Sequence, residues 1–380
     1  FPKRRSYNLK KKVKMKASVL KENLSKALSV CGRVISTRGS LEILSNVLLS
    51  AQSGRIKISA TNLEIGINYW IGGKVEKEGD LTIPARLFTD VVNSLASEKI
   101  ELEKKEIDMV IKAGGDTLSI KGLPADDYPL IPKIKNKEVI SIKASVLKEA
   151  LNLVNFAAAL DESRPVLSGV YFLIEGDTMT LAATDSYRLA EKKVKLEKKV
   201  EKKIEVVVPA RTMIELARIL GELNEEVKIY VDENQIMFAA KDIEFTSRLI
   251  EGQFPNYQQI IPDDNETKAL VESQGLNNIL KVATLFARES ANSVSLTIKV
   301  KGEIEVKATS SQIGESDSKL KAAVTGKDGE ITFNGKYITD VLNNLKEKKI
   351  SFEMTGKLNP GVIKPEGNKD YIYIIMPLRS

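Results

Sequence analysis

The chain has 380 residues, 42% hydrophobic and 29% charged, with a net charge of +7. Its length allows two or three domains, and its composition suits globular domains with sizeable cores. It has no histidine and one cysteine, Cys31, which removes most nucleophilic triads, nearly all zinc sites and any internal disulfide framework. Carboxylate or lysine chemistry stays open. Aromatic residues make up 6%, too few to point to base stacking on single strands. No apolar run approaches the length of a membrane span, and the basic N-terminus is not followed by a signal-peptide pattern. A reducing, cytoplasmic setting is expected.

Residues 1–14, FPKRRSYNLKKKVK, carry many bases and no acid. Such a block reads as a solvated, disordered extension, with a DNA-binding arm as the alternative. Met15 opens the first of three repeats. Lys16–Leu24, KASVLKENL, matches Lys143–Leu151, KASVLKEAL, at all but one position, and Val271–Leu280 keeps the apolar spacing in a third copy. Leu147, Leu151, Val154 and Ala158 fall on one face of a helix. Ser18, Ser145 and Ser273 stand where N-caps are expected. Ile140–Lys143 reads as a strand leading into the second helix. Cys31 reads as a small buried hydrophobe, and Trp70 as a residue on a strand face.

Strands fill the middle of each repeat. Asn46–Ser50 and Arg55–Ala60 form the first pair, and Gly169–Ile174 and Met179–Ala183 the second, around a turn at Glu175–Asp177. Val294–Lys299 and Glu303–Ala308 form the third. Each pair ends in Ala-Thr and a turn: ISATNLEIG, LAATDSYRLA and VKATSSQIG. A strand then leads into a short helix, PARLFTDVV from Pro84, PARTMIELARIL from Pro209 and NGKYITDVL from Asn334. Proline at a helix start loses nothing by lacking an N–H. The basic residues Arg86, Arg211 and Lys336 hold the same place in each copy, 125 residues apart. Hairpins at Ile107–Lys121 and Val227–Ala239 follow, and LPADDYPLIP (Leu123–Pro132) and FPNYQQIIP (Phe254–Pro262) close the first two copies.

The chain therefore reads as an α+β triplication: domains at 15–132, 133–262 and 263–380, each with two helices packed on antiparallel sheets. Helices that share one basic position place charge at regular intervals when the copies curl about an axis. Near-uniform phosphates of a duplex suit such an array without any reading of sequence. A merely solvated role for each basic residue is the plain alternative. Lys21, Lys26 and Lys148 are weaker candidates. The run Lys192–Lys203 reads as an exposed strand pair or loop. Asp126-Asp127 and Asp263-Asp264 lie in turn-forming segments, and Asp185 recurs as Asn62 and Ser310, which suits a turn and not a metal ligand. No phosphate loop or helix-turn-helix is present.

KASVLKE, the P-A-R helices, SRPVLSGV (Ser163–Val170), ATDSYRLA (Ala183–Ala190), FPNYQQIIP and the terminal MPLRS (Met376–Ser380) resemble the bacterial DNA polymerase III beta subunits, the sliding clamps, in the family's order from Met15 to Ser380. The resemblance implies a homodimer: two three-domain subunits joined head to tail in a six-domain ring around double-stranded DNA. It implies no catalytic site, cofactor or metal. An ATP-driven clamp loader, the polymerase III alpha subunit, and other polymerases and repair proteins bearing short peptide motifs would be the partners, with no membrane involved. It adds Arg38 and Arg164 to Arg86, Arg211 and Lys336 as DNA contacts. The partner pocket would be lined by Leu167, Thr184, Ser186, Tyr187, Arg188, Leu189, Pro255, Gln259, Ile260, Leu358, Pro360, Ile374, Met376, Pro377, Leu378 and Arg379, with Arg188 and exposed backbone groups orienting an extended peptide. For Leu167, Ile260 and Ile374 an ordinary core role stays open. An apolar YIYIIMPL at the chain end implies docking into a sheet. Leu285 and Phe286, with Leu118 opposite, match the subunit interface. The chain departs from the family by Tyr187 where histidine is frequent and Ser186 where glycine is frequent. An enzyme with clustered acids, a sequence-specific regulator and a repeat-built DNA-binding protein that forms no ring are the competing classes.

Overall fold

The structure, a computed structural model, describes residues 15–35, 41–132, 134, 139–161 and 163–378. The basic extension, Arg38 and Arg379 lie outside them. The chain divides into two compact units, Phe1–Ser141 with Glu225–Arg248, and Ile142–Asn224 with Leu249–Ser380. Their limits differ from those of the repeats because sheets run from one repeat into the next.

Among the described residues six α-helices form three pairs. In the first unit α1 (Lys21–Gly32) packs on α2 (Ala85–Ser94). In the second, α3 (Ala144–Val154) packs on α4 (Ala210–Leu220), and α5 (Ser273–Phe286) on α6 (Gly335–Asn344). Each buries one stripe. In α1 this is Leu24, Ala27, Leu28 and Cys31, and in α2 it is Ala85, Phe88 and Val92, spaced as one face of a helix requires. Burial pushes the Cys31 thiol up, out of the reactive range. In α4 the buried set is Met213, Leu216, Ala217 and Leu220, while Ile214 faces out.

The segment Lys16–Leu20 corrects the sequence reading. It is a strand, with Ala17 and Val19 buried and its neighbours turned outward. It pairs with Lys99–Lys105 on one side and Lys74–Lys77 on the other. Helix α1 starts only at Lys21, so Ser18 lies in the strand and caps nothing. Ser145 and Ser273 are likewise inside their helices, after Lys143 and Glu272 at the cap positions. The Glu272 carboxylate accepts from Gly275 N at 2.7 Å, and Ser273 Oγ instead donates to Glu347 O at 2.7 Å. Ala158 falls beyond the end of α3. The expected turn at Glu175–Asp177 is a register shift inside the long strand Gly169–Thr184. The lysine-rich run lies in its partner, Arg188–Pro209.

Every repeat contributes two strand groups. A lead-in strand and a three-strand meander make one. A group of four strands in the first and third repeats, and of two long strands in the second, ends at the second helix and makes the other. The meander of the second repeat joins the first repeat's other group, as Ile243–Arg248 pairs with Ile65–Gly72. The meander of the third repeat joins the second repeat in the same way, as Tyr371–Ile375 pairs with Arg188–Pro209. Eight-stranded and seven-stranded sheets result. The first repeat's meander and the third repeat's other group remain as separate sheets, with Asp116–Lys121 and Gly314–Lys321 at their edges.

Proline occupies the N-cap of α2 and α4, where it leaves the first-turn amides without a side-chain acceptor. Helix α6 has Asn334 instead, and its Oδ1 accepts from Lys336 N at 3.0 Å. Asn334→Ala is expected to lower stability by about 1 kcal/mol, measured by chemical denaturation.

Candidate partner pocket and nucleic-acid face

The Ala-Thr turn of the second repeat is built by its own side chains. Thr184 Oγ1 donates to Arg188 O at 2.6 Å and accepts from Ser186 N at 3.1 Å. Asp185 Oδ1 accepts from Tyr187 N at 2.9 Å and Arg188 N at 3.0 Å. Asn62 in the first repeat and Ser310 in the third take up the same following amides. The turn role therefore holds in all three copies. Ser186 sits at φ +77°, left-handed backbone that favours glycine, and Tyr187 stands 63% exposed at the tip.

Below the turn, Leu189 faces Ile374 across the seam between the repeats. Both are fully buried, in a cluster with Tyr171, Phe254 and Tyr257. Tyr171 stacks on Phe254 at 4.8 Å, and Tyr257 meets both rings edge-on. Tyr257 Oη donates to Glu191 Oε2 at 2.6 Å, and burial with that carboxylate pushes the phenol up. Of the three residues with an open core role, Ile374 and Leu167 are buried and Ile260 is exposed; Leu189, expected in the pocket lining, is buried as well. The buried residues support the pocket from beneath.

The rim is exposed: Pro255, Gln259, Ile260 and, at 77%, Leu358, with Pro360 half-buried. The chain end closes it. Met376 N donates to Tyr187 O at 2.8 Å and Leu378 N to Thr332 O at 2.9 Å, leaving Met376, Pro377 and Leu378 half-buried. The described part of the YIYIIMPL tail is therefore docked into the sheet.

Arg188 is held by two carboxylates. Its Nε donates to Asp185 Oδ2 at 2.9 Å and its Nη1 to Asp340 Oδ2 at 2.6 Å. The guanidinium lies 4.4 Å from the Tyr337 ring centroid. Burial works against its charge, but Tyr373, Asp340 and Asp185 outweigh that and hold it charged. With both carboxylates in place its charge is matched. The freer cation is Arg164, whose Nη1 donates to Ser186 Oγ at 3.2 Å. That bond places Arg164, expected among the DNA contacts, beside the pocket turn, a link the linear sequence does not signal.

Arg86, Arg211 and Lys336 are each the second residue of α2, α4 and α6, each exposed after a buried alanine or glycine. Lys21 is otherwise engaged: its Nζ donates to Asn93 O at 3.1 Å and to Leu95 O, at the end of α2. Lys148 Nζ lies beside Gly221, at the end of α4. The Lys21 ammonium therefore meets the negative end of the neighbouring helix. Lys26 is exposed. Leu118 and Leu285 are exposed and Phe286 is half-buried.

Comparison with known families matches the whole fold. The N-terminal domain of the DNA polymerase III beta subunit matches residues 15–132, its central domain 141–256 and its C-terminal domain 258–379. The chain belongs to the DNA polymerase III beta subunit family. It is 30% identical over 358 residues to the beta sliding clamps of Staphylococcus epidermidis and Staphylococcus aureus, covering 92% of this chain and 95% of each relative. The DNA polymerase sliding clamp of Bacillus subtilis has a TM-score of 0.93 at 29% identity, over 96% of this chain and 99% of that one. The DNA polymerase III subunit beta of Pseudomonas aeruginosa has a TM-score of 0.92 at 27% identity, over 96% and 100%.

Within this beta subunit fold, Ser186 carries a measurable cost. Ser186→Gly is expected to raise stability by about 1 kcal/mol through relief of the left-handed backbone, while freeing Arg164. Thermal denaturation of the two proteins checks it.

Proposed function

We propose that this chain is a processivity clamp: two copies close head to tail around duplex DNA and tether a replicative polymerase through the pocket at the second seam. It acts as a binding platform with no chemistry of its own. The observation that carries this reading is the pair of unsatisfied sheet edges. At both internal seams the last strand of a meander pairs with a strand of the preceding repeat. Among the described residues, Asp116–Lys121 and Gly314–Lys321 are the two equivalent strands without that partner. Leu118, Phe245 and Tyr373 occupy equivalent places, opposite Ile111, Phe238 and Ile363. Phe245 is 1% exposed and Tyr373 0%, whereas Leu118 is 39% exposed. A second copy supplies the missing strand to each edge. A head-to-tail contact that closes covers both of these edges, with Leu285 and Phe286 near the junction.

Arg86, Arg211 and Lys336 then supply phosphate contacts that hold DNA without stalling on any sequence. Arg38 joins them as a candidate. Pocket partners are the polymerase alpha subunit, the clamp loader and other polymerases and repair proteins with short apolar motifs, all in the cytoplasm. No helix among the described residues is long and apolar enough to cross a membrane. Tethering makes each re-encounter of polymerase and template intramolecular, so a weak complex becomes long-lived.

The test is topological. The loaded protein is expected to stay on closed circular DNA and to leave once the circle is cut; equal retention on both forms overturns the ring. Leu118→Asp is expected to shift the mass in solution from dimer to monomer and abolish that retention. Replacing Arg86, Arg211 and Lys336 with alanine is expected to flatten the salt dependence of DNA affinity by about 0.9 in log–log slope per lost contact. Met376→Ala with Leu378→Ala is expected to weaken peptide binding at least tenfold while DNA encirclement persists, by fluorescence anisotropy beside the circle assay.

A further inference from the structure

Helix α1 packs on the strands Arg55–Thr61 and Ile65–Gly72, where Ile56, Ile58, Ile67, Tyr69 and Ile71 are buried. Alternation turns Arg55, Lys57, Asn68 and Trp70 to the opposite face. The closing segment of the first repeat covers part of that face: Tyr128 Oη donates to Asn46 O at 3.2 Å, and Ile131 packs on Gly66. The same face holds a cavity of about 280 Å³, wholly within the first unit, to which Ser50, Met237 and Glu244 also contribute.

Ser50, Lys57 and Trp70 stand side by side across three strands, and each brings a polar group that has no partner among the described residues. Ser50 is 5% exposed, yet nothing bonds its hydroxyl. Lys57 is half-buried with no carboxylate on its ammonium, and the half-buried Trp70, the one tryptophan of the chain, has no acceptor on its indole N–H. The other charges are engaged. Arg55 pairs with Asp242. The Glu244 carboxylate accepts from Asn68 Nδ2 at 3.3 Å, and Asn68 Oδ1 accepts from Ser59 Oγ at 2.7 Å.

The third repeat closes the same row by itself. Glu305 precedes Thr309 as Lys57 precedes Thr61, and it faces Lys319 as Lys57 faces Trp70. Glu305 is buried, and Lys299 and Lys319 both pair with it. In the first repeat the charge of the row stays unmatched. A half-buried ammonium without a partner is unfavourable, and beside an indole it suits a ring that carries an anion.

We propose that this cavity binds a mononucleotide. The base stacks on Trp70, the phosphate meets Lys57 and the Ser50 hydroxyl, and amino hydrogens of the base are donated to Glu244. The volume is at the small end for ligand pockets, which limits the occupant to one nucleotide. Ile134 also lines the cavity; its neighbours at 133 and 135–138 lie outside the described residues, so their lysines enter the test as a control.

The probe is adenosine 5′-monophosphate, titrated onto the full chain, read by Trp70 fluorescence and by calorimetry. It is expected to quench the tryptophan and to bind at least tenfold more tightly than adenosine, which lacks the phosphate, or ribose 5-phosphate, which lacks the base. Lys57→Gln is expected to reduce its affinity to that of adenosine, with adenosine binding and the thermal melt unchanged. Trp70→Leu is expected to abolish binding by calorimetry; the lysine variant decides the matter if this one fails to fold. Glu244→Gln is expected to weaken binding by about threefold, the loss of one charged acceptor. Replacing Lys133, Lys135 and Lys137 with serine is expected to leave binding within twofold. The proposal is overturned if the nucleotide neither quenches nor binds at millimolar concentration, if ribose 5-phosphate binds as well, or if affinity follows the three linker lysines and ignores Lys57→Gln. Tighter binding of a four-residue single strand than of the monomer also overturns it, since the contact would then belong to nucleic acid.

Discussion

Two backbone ladders that cross the repeat boundaries hold this protein's functional parts together. A strand edge carries amide and carbonyl groups that need partners, and each repeat meets that need for the one before it. Tyr371–Ile375 laid along Arg188–Pro209 sets Leu189 against Ile374. A slip of one residue would turn both outward. The same ladder delivers Met376 to the Tyr187 carbonyl. The candidate pocket therefore depends on register: the second and third repeats both supply its residues, which meet only when the ladder is in place.

Arg188 adds a second lock at this seam. Burying a guanidinium is costly unless its charge and donors are matched, and here Asp185, Asp340, Tyr337 and Phe156 surround it. Asp340 belongs to α6, one turn after Lys336. A single buried ion pair thus fixes the pocket turn to the helix whose start presents a candidate phosphate contact. Removing one partner would leave the other charge buried and alone.

The triplication was legible because it is covalent: ATNLEIG, ATDSYRLA and ATSSQIG, with a base at residues 86, 211 and 336, repeat in the text itself. The turns were legible too, since Asx chemistry acts within a few residues. Lys16–Leu20 was misread because Leu, Lys and Glu in KASVLKE favour helix, whereas pairing with Lys99–Lys105 overrides that preference. The serine caps failed with it. The cross-repeat ladders, the Arg188–Asp340 pair and the Arg164–Ser186 bond join residues far apart in the chain, and no local pattern announces them. Among the pocket residues, rim and floor were indistinguishable by type: Leu358 and Leu189 are both leucine, yet one is solvated and the other buried.

The two seams separate what duplication keeps from what it releases. Kept are the groups that satisfy the backbone: the threonine hydroxyl, the Asn or Asp acceptor, the closing amide of residue 248 or 376. Their loss would strand polar groups at the turn, so they are constrained by the fold alone. Released are the side chains on top. Gly66 admits Ile131 where its counterpart Leu189 fills the space itself, and Leu63 and Glu64 stand where Ser186 and Tyr187 do. One backbone frame therefore carries different side chains at the two seams. Beneath the first turn Ile131 of the closing segment packs on Gly66, whereas beneath the second Leu189 packs with Phe254 and Tyr257 of the closing segment.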